Sequence, residues 1–576
     1  MTTSFRRAAL AACVALPAIA GAQAPSVPAA PAVTVPQPAT TLPLKLAPRP
    51  TTPAITAADL MTRVYIFADD SMMGRESGTI GNVRGTDYLA RELARLGLRP
   101  AGENGTFYQT IPFKRRSLDP KSVVKVGDAV LANGADWAVI PGTTPPAGAL
   151  PAVFGGTLGD NSPRIADADA RGKLVVYRVL PTGLALLQDP TAFPASRAAV
   201  GLIGLDRYIG YLSAPSTIVD DPAKVTPLGA SVVIFSQGAV GRLFAAGITP
   251  SVGTPGATVS FDVRSMLEPI AVPSRNVVAV LPGADEQLKG EYVAIGAHND
   301  HVGYSMPPVD HDSVRIFNHV VRPGGAEDDA KTATDAQAAE VNARLGAWRV
   351  AHPKAARQDS IANGADDDAS GSMTVLEIAE RMATAAARPK RSILFVWHNG
   401  EEKGLLGSEY YTDHSTVPRE SIVAQLNMDM VGRGHPWDVT GATKEGAPLR
   451  GGPGYLQLVG SRRLSTELGD LIEQANRDGR IGLTFDYGMD ANEHPMNIYC
   501  RSDHYQYARY GIPVTFFTTG GHSDYHQVTD EPQYLDYPHM ARIATLVTDV
   551  ASRIANLDHR LVIDKVKPDP RATCQQ

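Results

Sequence analysis

From Asn276 onward the chain repeats one pattern: a short run that is apolar at almost every position, a stretch with helical periodicity, then another apolar run. The runs occupy 276–281, 292–295, 392–397, 422–428 and 512–517, and Met373, Leu376, Ala379 and Met382 mark one face of an intervening helix. A strand that is apolar on both faces must be covered on both, and strands separated by helices run parallel. The pattern therefore predicts an α/β fold with a mostly parallel central sheet flanked by helices. Upstream, residues 86–96 place Leu89, Leu93 and Leu96 on one helical face before Gly97 ends it. Between 118 and 273 the texture changes to short β-branched runs, such as 174–179 and 231–235, broken by Gly and Pro. That stretch predicts a separate β-rich domain inserted into the first.

The ends read differently. Arg6 and Arg7, the apolar run 8–20 and the small residues Ala20, Gly21 and Ala22 form an export signal, residues 1–22, expected to be removed. Pro17 interrupts a run already too short to serve as a membrane span. Residues 10–13 also spell a lipoprotein cleavage box, although only five residues separate Arg7 from Cys13. A periplasmic or secreted protein is expected. Residues 23–53, dominated by Ala, Pro, Thr and Val, predict an extended linker, and 561–576 form a C-terminal tail. Without the signal only Cys500 and Cys574 remain, allowing at most one disulfide and no thiolate metal site; whether they pair is open. With 60 acidic against 54 basic residues spread along the chain, no basic stripe suggests a nucleic-acid partner. A monomer is expected.

In open α/β sheets, ligands collect beyond the carboxyl ends of the strands. Five such places in this chain carry His298, the triplet Asp366, Asp367 and Asp368, the pair Glu401 and Glu402, Asp429, and His526. Singly, each has a plainer explanation. Adjacent aspartates cap helices, paired glutamates are commonly solvated, and a histidine after a strand is often only hydrogen-bonded. Together, donors gathered at one sheet edge would repel or stay poorly solvated unless cations sat among them. Oxygen and imidazole donors without thiolate fit zinc, and manganese or cobalt less well.

The series GAHND from Gly296, GADDDASG from Gly364, NGEEKGLLGS from Asn399, NMDMVGR from Asn427 and DYHQVTD from Asp524 resembles the co-catalytic dizinc exopeptidase family, which includes bacterial leucyl aminopeptidases, aminopeptidase Y and glutamate carboxypeptidase. SMMGRESGTIGNVRGTDYL from Ser71, LGLRPAGENGTFYQ from Leu96, NVVAVLPG from Asn276 and SDHYQY from Ser502 extend it. The resemblance implies a catalytic domain of residues 54–117 plus 274–560, two zinc ions per chain and peptide substrates cleaved at the N-terminal peptide bond. It implies that His298 and Asp429 hold one zinc, Glu402 and His526 the other, and Asp367 bridges both. The register counted back from Ser370 and Gly371 selects Asp367. It further implies Glu401 as general base, Tyr525 as donor to the oxyanion, and Asp300 as the carboxylate that orients the His298 imidazole.

Two stretches depart from the family. Residues 118–273 resemble a protease-associated domain, on RGKLVVYRV from Arg171 and the resumption at SRNVVAVLPG. Asp312, Ser313, Val314 and Asp359, Ser360, Ile361 look like two copies of one junction around an insertion, residues 313–358, with an Ala-rich helix over 333–350. A surface outgrowth is the plainer expectation for it, and a lid limiting substrate length the sharper one. A carboxypeptidase or other amidase on the same site is the alternative function; a cyclase-type transferase needing one zinc, or a non-catalytic receptor ectodomain, fits less well with every donor retained.

Overall fold

The computed structural model describes residues 42–576 except 141–143, 181–196, 221–230, 246, 248–249, 329–331, 354–356 and 573. The expected export signal and residues 23–41 of the expected linker lie outside the described residues. The chain divides into two compact units, one of Pro112–Ile270 and one dominated by Ala271–Pro570 with the residues up to Ile111 and Cys574–Gln576.

The larger unit is built on a nine-stranded sheet. In chain order its strands are β1 (Arg99–Pro100), β2 (Tyr108–Ile111), β3 (Ser274–Leu281), β4 (Tyr292–His298), β5 (Ser392–His398), β6 (Ile422–Met428), β7 (Tyr455–Val459), β8 (Thr484–Asp486) and β9 (Val514–Thr518). Across the sheet the order is β1 and β2, then β3, β5, β4, β6, β9, β7 and β8. The four central strands, β5, β4, β6 and β9, are mutually parallel. β3 and β7 flank them antiparallel. Parallel neighbours put His298 of β4 level with His398 of β5, so the ends that carry polar residues emerge at one edge.

The alternation of strand side chains decides what each face covers. Val277, Ala279, Ile393, Phe395, Trp397 and Leu426 join a core shared with helices Ala57–Phe67, Ile80–Arg95, Gly371–Ala383, Thr466–Asp478 and Tyr537–Asn556. Val278, Val280, Leu394 and Val396 point the other way, against Tyr411, Tyr499 and Tyr507. Each fully buried side chain of this size stabilises by roughly 1.5–3 kcal/mol over leaving it exposed. Both faces are thus covered, as the apolar runs required.

Residues 42–53, expected as a free linker, are held against this unit. Leu42 and Leu46 lie on the main core, the Lys45 ammonium reaches Asp69 and Asp70 at 3.1 and 3.0 Å, and the Thr51 hydroxyl donates to Glu380 at 2.7 Å. An extended segment without a core of its own can still lay single side chains on a surface already built. The tail is tied down too: Leu561 is buried in the main core, and Cys574 forms a disulfide with Cys500, Cα atoms 5.8 Å apart. Closing a loop of 74 residues removes unfolded-state entropy worth about 4 kcal/mol. Cys574→Ser should lower the unfolding free energy by about that amount in denaturant titrations, and reduced wild type should match it.

The smaller unit holds two sheets. The larger runs, across the sheet, Ala129–Leu131, Val123–Val126, Pro255–Asp262, Gly148–Leu158, Leu174–Val179, Ala199–Ile203, Val232–Phe235 and Trp137–Val139. The run at 174–179 is its central strand, parallel to both neighbours. Among the described residues no helix is long and apolar enough to cross a membrane.

Candidate metal centre

The polar residues at the carboxyl edge of the central strands are brought together by the way each strand ends. β4 ends at His298, β5 leads into Glu401 and Glu402, β6 is followed directly by Asp429, and β9 leads into the loop bearing His526. Two backbone positions there are left-handed without glycine: Met430, after Asp429, has φ 58°, and His526 itself has φ 56°. Such conformations cost energy and persist only where surrounding structure imposes them.

The aspartate triplet separates into three tasks. Asp366 accepts the Gly432 N–H at 2.7 Å. Asp368 accepts the N–H groups of His298, Gly371 and Met430 at 3.1, 2.8 and 3.3 Å. Asp368 is thus spent on backbone, while the other oxygen of Asp366 stands 3.2 Å from His522 Nε2. Asp367 faces both His298 and His526: Oδ1 lies 3.1 Å from His298 Nε2, and Oδ2 lies 2.9 Å from His526 Nε2. Asp530 fixes this loop by accepting the N–H groups of Asp366 and Asp367.

Around Asp367 two donor sets form. On one side His298 Nε2 lies 3.6 Å from Asp429 Oδ1, whose other oxygen accepts from Ser502 Oγ at 2.7 Å. On the other, Glu402 Oε2 lies 2.9 Å from His526 Nε2. Asp368 also falls within reach of His298 and Asp429, but its engagement by three N–H groups leaves Asp367 the better shared carboxylate. All five expected ligands are therefore drawn into one cluster.

His301, which sequence reasoning passed over, belongs to it as well. The side chain is fully buried, and Nδ1 lies 2.8 Å from Glu402 Oε1 and 3.6 Å from Asp367 Oδ2. The available signal was its place three residues after His298 in the same loop.

Asp300 differs from expectation. Its carboxylate stands 3.8 Å from His298 Nδ1, and the atom that holds the imidazole is its main-chain carbonyl oxygen, at 3.1 Å. The carboxylate instead accepts the N–H groups of Gly400 and Glu401 at 2.8 and 3.2 Å and the Ser77 hydroxyl at 3.0 Å. It pins the loop that presents Glu401 and Glu402. Backbone acceptance already satisfies Nδ1, which frees the side chain for that loop.

Burial drives the electrostatics. It pushes the Glu401 carboxyl well above its ordinary range, with Asp429 and Glu402 adding to the push. Burial opposes ionisation of Asp367 too, yet His298, His301 and His526 hold it well below the usual carboxylate range. Glu402, pushed up by burial and by Asp367, is still held at about 2 by His526 and His301. His298 and His526 are conversely drawn well above 6.5 by acid neighbours, against burial. The cluster thus offsets its excess of carboxylates by protonating imidazoles, and divalent cations would take the place of those protons. Tyr525 stacks on His526 with ring centres 4.0 Å apart; burial, then Asp367, raise its phenol well above 10, so it stays a donor.

Comparison with known proteins fits this geometry. Residues 276–551 match the model of peptidase family M28. It is 28% identical over 217 residues to leucine aminopeptidase 1 of Aspergillus oryzae, covering 35% of this chain and 51% of that one. It is 41% identical over 91 residues to a probable leucine aminopeptidase of Arthroderma otae, covering 14% of this chain and 26% of that one. The chain thus spans about half the length or less of these relatives. Among solved structures, the aminopeptidase of Aneurinibacillus sp. strain AM-1 aligns with a TM-score of 0.48 at 16% identity, over 89% of this chain and 97% of that one.

Proposed function

We propose that this chain is an exported zinc aminopeptidase that removes residues from the N-termini of peptides, acting as a monomer with two zinc ions. The observation that carries this reading is Asp367, with one oxygen toward His298 and the other toward His526. One carboxylate facing two donor sets is the arrangement two neighbouring cations need. His298 and Asp429 would hold the first zinc, and Glu402 and His526 the second. His301 would orient Glu402 by donating from Nδ1 to Oε1. Matching family members named as leucine aminopeptidases support the class of reaction.

Zinc bound there supplies Lewis acidity that lowers the pKa of water toward neutrality. Glu401 would accept the proton released on attack and later return it to the departing amine, a task suited to a carboxyl whose burial has raised its proton affinity. Asp300 holds Glu401 in place through its N–H. The Tyr525 hydroxyl would donate to the oxyanion of the tetrahedral intermediate. Export is supported by the N-terminal signal-like run and by the Cys500–Cys574 disulfide, which suits an oxidising compartment.

A carboxypeptidase needs a free guanidinium for the substrate carboxylate. Arg501, next to Ser502 in this site, is committed to Glu327 at 3.1 Å, which favours the amine reading. The test is metal analysis of purified protein beside an assay on aminoacyl amides with free and blocked N-termini. Two zinc ions per chain, loss of turnover on chelation and cleavage of the free series alone are expected. Equal cleavage of the blocked series would overturn the aminopeptidase assignment.

A further inference from the structure

The insertion 313–358 combines an exposed outer helix with inner pieces held against the loop that bears His526. It leaves the sheet edge through an antiparallel pair, Gly303–Asp310 with Gln358–Ala362. Between these lie helices His311–Val321 and Asp335–Ala351 and a short turn at Gly325–Glu327. The outer helix, Asp335–Ala351, has no buried residue. The inner pieces are different: they grip the segment that carries Tyr525 and His526.

Four contacts make the grip. The Ala326 N–H donates to the Tyr525 carbonyl at 3.2 Å, immediately before the left-handed His526. Gly325, φ +59°, comes so close that a Cβ there would stand 2.8 Å from the His522 carbonyl and 2.9 Å from that of Tyr525. Arg315 lies 3.5 Å from Asp524 and places its guanidinium 3.6 Å from the ring centre of Tyr534. Arg357 donates to Glu531 at 2.9 Å, and His311 Nε2 stands 3.0 Å from the same carboxylate. Beyond these, Glu327 pairs with Arg501, whose neighbour Ser502 holds Asp429. The turn therefore touches the loops behind both donor sets.

Asp524 is fully buried between Arg315 of the insertion and Arg433 at 3.0 Å. A buried charge of this kind is costly to leave half-paired. Removing Arg315 would therefore act on the backbone two residues before His526. The left-handed φ at His526 has to be imposed from outside, and the N–H of Ala326 and the pairing of Asp524 are contacts able to impose it.

We propose that the insertion is a clamp that positions His526 and Tyr525: Arg315 and Ala326 act through the 522–530 loop, and Glu327, paired with Arg501, anchors the turn that carries Ala326, none of them touching substrate. This rests on the dizinc reading for its effect on metal, but not for its effect on the loop. The experiment uses the full chain with Arg315→Met and Glu327→Gln, and with Glu327→Asp as the conservative control. Hydrogen exchange of the metal-free proteins should show peptides covering 522–530 exchanging faster in Arg315→Met and Glu327→Gln than in wild type, with strands β4 to β6 unchanged. Zinc titration should show one of two sites weakened about tenfold to a hundredfold, the usual scale for losing a residue behind a metal ligand, with Glu327→Asp largely restored.

Unchanged exchange at 522–530 overturns the clamp whatever the metal content. Faster exchange with both zinc affinities at wild-type values overturns the positioning of His526. Wild-type protein that binds no zinc overturns the dizinc reading instead, while the exchange result still decides the clamp.

Discussion

Glu401→Gln is expected to lower kcat roughly a thousandfold, within the range general acid–base groups contribute, while leaving zinc content and KM close to wild type. The side chain keeps its shape and its loop, because what fixes it is the bond from its own N–H to Asp300 at 3.2 Å. Only the capacity to take up a proton is lost. Steady-state kinetics on an aminoacyl amide, with metal analysis of the same preparation, checks both halves. A near-normal rate would remove Glu401 from the mechanism, and lost zinc would move it among the ligands.

Asp367→Ala should have the opposite profile. Because its two oxygens face His298 and His526, removing it takes a ligand from both donor sets at once. Zinc should fall from two per chain toward none, with turnover at the level of chelated wild type. Removing Asp366 or Asp368, which are bonded to backbone N–H groups, should instead show first as lost stability. Metal analysis and thermal unfolding of the three variants separate these roles. A fully metallated Asp367→Ala protein would rule out its sharing by two cations.

The central strands were legible because burial on both faces keeps them mostly apolar: β4, β5, β6 and β9 fall within two residues of the predicted spans at either end, apart from β4, which continues to His298. β7 escaped notice: it is only five residues long, with Gln457 at its centre. That side chain is buried in the sheet by donating to Thr440 O and Tyr455 Oη at 3.0 and 2.9 Å, a compensation no local pattern announces. The five donors were legible as acids and imidazoles at strand ends. The work of Asp300 was not, since a sequence cannot tell a carbonyl contact from a carboxylate contact of the same residue. The grip of Arg315 on Asp524 was equally hidden, because pairing across the chain depends on the fold that creates it.

The donors gathered around Asp367 run from His298 to His526, while β4, β6 and β9, which present three of them, are immediate neighbours in the sheet. No polypeptide interrupted ahead of His526 contains the complete set. On the dizinc reading, fragments from stalled synthesis or clipping would be chemically mute, and activity would arise only once the last of these strands and its following loop have been made and docked.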